Sequence, residues 1–372
     1  MIHPDDFYRQ LKAADIGFFT GVPDSLLSSL CAFIDDRCSA SEHIITANEG
    51  NAIALAMGYH LSSGKYAAVY MQNSGLGNAI NPLTSLADPQ VYRVPMLLII
   101  GWRGEPGVSD EPQHIKQGRI TPGQLALLEI PYQILDADSD GTAMLAQALN
   151  TMTDTQAPVA LLVRKNAFAP YTPQNAPVQR AAWTREEALA ALLDSCGSDL
   201  IVCTTGKASR ELFELRVQRG QQQRDFLTVG GMGHTASLAL GVALGNPHQR
   251  VICVDGDGSV LMHMGALPII GSRRPQNLVH VLLNNAAHES VGGQPTVADR
   301  MDFAAIAKAC GYAHYARADN AASLAQAWPG LLHRAGPCML ELSIGTGSRG
   351  NLGRPTGSPE HNKLAFIRAA RA

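Results

Sequence analysis

Two segments of the second half carry the residues most able to do chemistry. Val251-Ile-Cys-Val-Asp-Gly-Asp-Gly-Ser259 is a short apolar run that breaks at Gly256-Asp257-Gly258. Leu278-Val-His-Val-Leu-Leu-Asn-Asn285 is a second run, closing on two amides. A helix-length stretch, Val260 to about Gly271, lies between them. Strand, helix, strand in this order predicts a βαβ unit, which sets Asp257 and Asn285 at the carboxyl ends of parallel strands, where open α/β sheets bind ligands. A carboxylate and an amide oxygen suit magnesium, whose other positions phosphate oxygens and water can fill. Glycines beside Asp257 let a phosphate approach the backbone, Ser259 adds a hydroxyl, and the helix that follows points its first N–H groups at an anion. An EF-hand reading of Asp255-x-Asp257-x-Ser259 fails, because Val260 and Ala266 stand where that loop needs glycine and glutamate. The plainer alternative is a strand-to-helix turn with no ligand.

The first half offers Glu49, in Ile44-Ile-Thr-Ala-Asn-Glu-Gly-Asn-Ala-Ile-Ala-Leu-Ala-Met-Gly-Tyr59. It follows a short apolar run and opens an alanine-rich helix that carries no charge for the next ten residues. Such surroundings raise a carboxyl pKa. The competing reading is a first-turn glutamate favoured by the helix dipole.

Both candidates need scaffolds. Short apolar runs at 17–20, 43–46, 67–71, 96–101 and 159–163, then at 200–204, 225–229, 251–254, 278–283 and 339–343, alternate with helix-length segments. Runs apolar on both faces predict an α/β fold with two mostly parallel sheets, each flanked by helices. The aperiodic, proline-bearing stretch 166–182 predicts a linker between domains 1–165 and 183–372. Of the 372 residues, 16% are charged, below the usual ~25%, which suggests surface given over to subunit contacts. Lys plus Arg (29) nearly balances Asp plus Glu (32), so no global field favours nucleic acid or a membrane. No apolar stretch approaches the ~18 residues of a membrane helix, and the opening Met1-Ile-His-Pro-Asp-Asp has no signal-peptide pattern. The seven cysteines are scattered without a Cys-x-x-Cys, which favours neither disulfides nor zinc. A cytoplasmic setting is expected.

Gly-Asp-Gly followed by Asn-Asn resembles the cofactor motif of thiamin diphosphate enzymes of the pyruvate decarboxylase type. The resemblance implies that Asp257, Asn285 and the carbonyl of Ala287 hold Mg2+. It also implies that Met232, in Val229-Gly-Gly-Met-Gly-His-Thr-Ala236, wedges the cofactor into its bent form. Gly231, Thr205-Gly206, Gly256, Gly258, Ser259 and His288 would then border the diphosphate or the substrate. Glu49 matches the family's strand–Glu–Ala-rich-helix pattern, so it would hydrogen-bond the pyrimidine N1′ and favour the tautomer that takes the thiazolium C2 proton. The two halves become a pyrimidine-binding and a diphosphate-binding domain. In such enzymes the glutamate and the metal site come from different subunits, so a homodimer or higher homo-oligomer with active sites at its interfaces is expected.

Two domains with no middle domain resemble the phosphonopyruvate and sulfopyruvate decarboxylase family more closely. Phe19-Thr-Gly-Val-Pro-Asp-Ser-Leu26, Trp102-Arg-Gly-Glu-Pro-Gly107, Asp110-Glu-Pro-Gln-His114, His288-Glu-Ser-Val-Gly-Gly-Gln-Pro-Thr296 and Ser348-Arg-Gly-Asn-Leu-Gly-Arg-Pro355 carry that likeness through both halves. It implies decarboxylation of the 2-keto acid 3-phosphonopyruvate to phosphonoacetaldehyde, in phosphonate biosynthesis. A dianionic head group needs donors. Arg103, His114, Lys116, Arg349 and Arg354 are the cationic candidates, Ser25 and Thr296 offer hydroxyls, and Asp24 could orient a donor or relay a proton. Sulfopyruvate is the alternative substrate, though enzymes acting on it often split the halves into separate chains. A nicotinamide-dependent oxidoreductase built on Gly230-Gly231-x-Gly233 lacks the acidic residue that should follow. A non-catalytic partner subunit is disfavoured by Glu49, Asp257 and Asn285 standing in one chain.

Overall fold

The computed structural model describes residues 1–174 and 181–372. Residues 175–180, inside the expected linker, lie outside the described residues. The chain divides into two compact units, Met1–Ala176 with Val291–Gln294, and Pro177–Ser290 with Pro295–Ala372.

The first unit holds β1 (Ile16–Gly21), β2 (His43–Ile45), β3 (Tyr66–Gln72), β4 (Leu97–Gly101), β5 (Tyr132–Leu135) and β6 (Val159–Val163), in the order β2-β1-β3-β4-β6-β5. The second holds β7 (Leu200–Cys203), β8 (Phe226–Leu227), β9 (Val251–Gly256), β10 (Leu278–Asn284), β11 (His314–Ala318) and β12 (Cys338–Ser343), in the order β11-β12-β10-β9-β7-β8. All neighbouring strands run parallel. Each sheet is covered by helices on both faces, with one apolar cluster per face. This is the doubly covered α/β arrangement that the two-sided apolar runs predict.

The differences from the sequence reading lie at the edges and ends. β5 and β11 were not expected: both are edge strands, and Tyr132-Gln-Ile-Leu135 and His314-Tyr-Ala-Arg-Ala318 lack a continuous apolar run. The expected helix from Val260 to Gly271 is two helices, Asp257–Met262 and Ala266–Arg273. The expected strand 225–229 shrinks to Phe226–Leu227, because Asp225 turns inward to a bidentate pair with Arg216 at 2.8 and 2.9 Å. On the outer side of β8, Asn362 accepts from the Leu227 N–H (3.0 Å) and donates to the Asp225 carbonyl (2.8 Å). Ala167 and Phe168, placed in the linker by composition, are buried in the first unit, where Phe168 meets Phe7 edge-on at 5.2 Å.

In the first sheet the chain leaves β1 for β2 on one side, then crosses to β3 on the other. In the second it leaves β7 for β8, then crosses to β9. These reversals put a topological switch point between β1 and β3 and another between β7 and β9, each opening a crevice at the carboxyl ends of the strands.

Candidate functional site

Glu49 is the first residue of the helix Glu49–Ser63, which Asn48 caps by accepting from the Gly50 N–H at 2.8 Å. The Glu49 side chain is only 5% exposed. Burial pushes its pKa up, partly offset by Asn78, whose amide donates to Oε2 at 2.7 Å. A Cβ at Gly75 would sit 2.5 Å from Glu49 Oε1, so only glycine leaves room for the carboxyl. Asn78 and Gly75 were not singled out from sequence. Their only signal is the polar, glycine-bearing stretch Asn73-Ser-Gly-Leu-Gly-Asn78 just past an apolar run.

The same unit gathers a second group at the β1/β3 crevice and the neighbouring end of β4. Asp24 is fully buried and accepts from Gln72 (2.8 Å) and from the Leu26 N–H (2.9 Å). Burial raises its pKa against those hydrogen bonds. Arg103 donates to Ser25 Oγ at 2.8 Å and grips Asp110 through Nε (2.8 Å) and Nη2 (2.5 Å). His114 Nδ1 lies 2.9 Å from the same carboxylate. Burial works against the Asp110 charge, but Arg103 and His114 outweigh it and hold the carboxyl well below its usual range. Three of the five guanidinium N–H groups are used by these partners, and two still have capacity for an anion. Sequence placed Asp110 in a distinctive segment without giving it a role. Its spacing to His114, i to i+4 across a helix start, was the available clue.

In the second unit Asp257 follows β9 and Asn285 follows β10, on strands paired in register (Leu283 opposite Gly256). Asp257 is 3% exposed, and burial raises its pKa to about 6 even though the Thr296 hydroxyl donates to it at 2.5 Å. The Asn285 Oδ1 accepts from the Ala287 N–H at 3.1 Å. Thr205 and Gly206 cross the other side of the β7/β9 crevice. The Thr205 hydroxyl accepts from the Gly230 N–H at 3.0 Å, and Gly206, at φ +92° and ψ −142°, has a conformation that side chains avoid. Ser259 Oγ accepts from the Gly233 N–H at 3.0 Å. A Cβ at Gly258 would press at 3.3 Å on both His288 and Met232, so these two flank a bare Cα. His288 is buried, which drives its pKa down to about 4 and keeps the ring neutral.

Several sequence candidates stand elsewhere. Thr296 donates to the Asp257 carboxylate and accepts from the Ala298 N–H, beside the candidate metal position. Arg349 is clamped between two carboxylates, Glu186 (2.7 Å) and Glu214, where Arg103 faces one. Lys116 and Arg354 are exposed. The structure therefore joins Arg103 and His114 around Asp110, with Ser25 on Arg103, and leaves Lys116, Arg349 and Arg354 outside that group.

Residues 4–126 match the family model "Thiamine pyrophosphate enzyme, N-terminal TPP binding domain", and residues 201–342 match the corresponding C-terminal TPP binding domain. A phosphonopyruvate decarboxylase of Streptomyces viridochromogenes is 37% identical over 96% of this chain and 92% of its own. One from Streptomyces hygroscopicus is 37% identical over 98% and 93%. The chain belongs to the phosphonopyruvate decarboxylase family of thiamine pyrophosphate enzymes. A sulfopyruvate decarboxylase of Methanosarcina acetivorans is 27% identical over 92% of this chain and 90% of its own. The chain is thus a thiamin diphosphate-dependent carboxy-lyase, and among the described residues no helix is long and apolar enough to cross a membrane.

The donor set of the second unit fits the family's cofactor. A buried carboxylate that forms no ion pair among the described residues and an amide oxygen are hard donors at a switch point, and Gly206 and Gly258 keep the backbone bare beside them.

Proposed function

We propose that this enzyme decarboxylates 3-phosphonopyruvate to phosphonoacetaldehyde, with thiamin diphosphate and Mg2+ as its cofactors. Asp257, Asn285 and the Ala287 carbonyl would hold the metal. The bare backbone at Gly231, Gly256 and Gly258, with Thr205, Gly206 and Ser259, takes the diphosphate. Met232 and the neutral His288 line the cofactor. Glu49 would hold the pyrimidine N1′, and burial raises its carboxyl pKa, which favours the protonated form that a proton-sharing group needs. When bound, the cofactor's thiazolium accepts the electron pair left behind by carbon dioxide. The active unit is at least a homodimer, with Glu49 of one copy meeting the metal loop of another. Phosphonate biosynthesis is the setting that such a product fits.

One observation carries the substrate assignment. Arg103 and His114 are organised by the Asp110 carboxylate at a strand-end crevice, and Arg103 in turn donates to Ser25 with two guanidinium N–H groups to spare. An oxyanion head group finds there a fixed cation and a hydroxyl, which a keto acid ending in methyl could not use. The test is carbon dioxide and aldehyde release with phosphonopyruvate, sulfopyruvate and pyruvate at equal concentration. Phosphonopyruvate should lead, and pyruvate should be the poorest. Sulfopyruvate ahead would move the substrate and keep the mechanism, whereas pyruvate as the best substrate would remove the head-group pocket.

Arg103→Gln should raise KM for phosphonopyruvate about 30-fold or more, the loss expected when one partner of a buried charged pair is removed. Cofactor binding should stay as it was. A fall in kcat with KM unmoved would place Arg103 outside the substrate pocket.

A further inference from the structure

An amide ligand poses a problem that a carboxylate does not. Its oxygen binds a cation and its NH2 repels one, and the two ends have nearly the same shape. In this protein the Asn285 NH2 is already spoken for. It donates to Glu289 Oε2 at 2.9 Å, and an ionised carboxylate accepts only, so it cannot take the oxygen end instead. Oδ1 is thereby fixed on the opposite side, where it accepts one hydrogen bond from Ala287 and keeps a second lone pair.

Glu289 is itself immobilised. Arg185 Nη1 donates to Oε2 at 2.7 Å and Lys207 Nζ to Oε1 at 2.9 Å. Arg185 is in turn locked onto Glu211 by two bonds, at 2.7 and 2.8 Å, with side chains 7% and 2% exposed. Two cations and two carboxylates balance. Lys207 and Glu211 belong to the helix Lys207–Gln218, which begins directly after Thr205-Gly206, so one network ties the metal loop to the candidate diphosphate turn.

We propose that Glu289 is a positioning residue that sets the Asn285 amide oxygen toward the magnesium site, held by Arg185 and Lys207. The inference rests on Asn285 being a metal ligand, as proposed above. It is tested on the full-length protein by titrating Mg2+ at fixed thiamin diphosphate and following quenching of tryptophan fluorescence. Glu289→Gln should raise the Mg2+ half-saturation about tenfold or more, in the range for residues that orient metal ligands. Asn285→Asp offers oxygen at both ends, so orientation loses its meaning. Adding Glu289→Gln to that variant should cost nothing further, a non-additivity that a merely structural role would not produce. Should Glu289→Gln fail to fold, Glu289→Asp keeps the charge on a shorter arm and should shift the titration the same way in the Asn285 background alone. Equal shifts in both backgrounds, or none in either, would overturn the role of Glu289. An unchanged titration for Asn285→Ala would instead overturn the metal assignment, and this proposal with it.

Discussion

Glu49→Gln protein is expected to bind thiamin diphosphate and magnesium with undiminished affinity and to turn over on the order of 10³-fold more slowly, within the range for loss of a positioned acid–base group. Glutamine has nearly the shape of the protonated glutamate. Its amide oxygen can still accept from Asn78, and it enters the same space that Gly75 leaves open. What is lost is a proton that can be given and taken back. Burial is the dominant influence on this carboxyl and raises its pKa, which favours the protonated form. Affinity is read from fluorescence quenching and turnover from carbon dioxide release. Full activity would remove Glu49 from the mechanism, and loss of cofactor binding would make its role structural.

Asp257→Ala should act on the other arm. Magnesium-dependent binding of thiamin diphosphate should weaken at least ~100-fold, because replacing a ligand exceeds the cost of disturbing a residue that only orients one. The Thr296 hydroxyl, which now donates to this carboxylate, cannot replace it as an anionic ligand. The two variants also complement each other. If each active site draws Glu49 and Asp257 from different copies, a mixed dimer of the two inactive proteins holds one site with both defects and one with none. Random reassortment of equal amounts should then restore about a quarter of the parent activity. Reassorted mixtures that stay inactive, despite demonstrated subunit exchange, would mean that both residues of a site come from one chain.

Much of this architecture can be read in the sequence wherever it is written in consecutive residues. Apolar runs mark the central strands, since strands buried on both faces need no alternation. Glycine and acid at a strand end mark Asp257, and two amides mark Asn285. The edge strands Tyr132–Leu135 and His314–Ala318 escape because their composition is mixed, whereas the edges at 43–46 and 225–229 are marked by apolar residues. The partners of the reactive groups escape for another reason. Asn78 reaches Glu49 across 29 residues and Arg185 reaches Glu289 across 104, and no spacing rule joins such pairs before the sheets have formed. The basic residues show the same limit from the other side. Arg103 and Arg349 look alike as letters, and each commits three N–H groups, yet one pairs with a single carboxylate at a strand-end crevice and the other with two, Glu186 and Glu214.

The seal on β8 has a consequence for how the protein is made. Asn362 stands in for a neighbouring strand along the two-residue edge, and it lies 135 residues downstream of Leu227. At a synthesis rate of about 5–20 residues per second, that edge waits roughly 7–27 seconds for its cover. During the wait, the nascent chain offers unpaired N–H and C=O groups at the rim of a half-built sheet, the kind of surface that recruits other strands. The brevity of β8 limits the exposure to two residues, which helps keep the unfinished chain from finding the wrong partner.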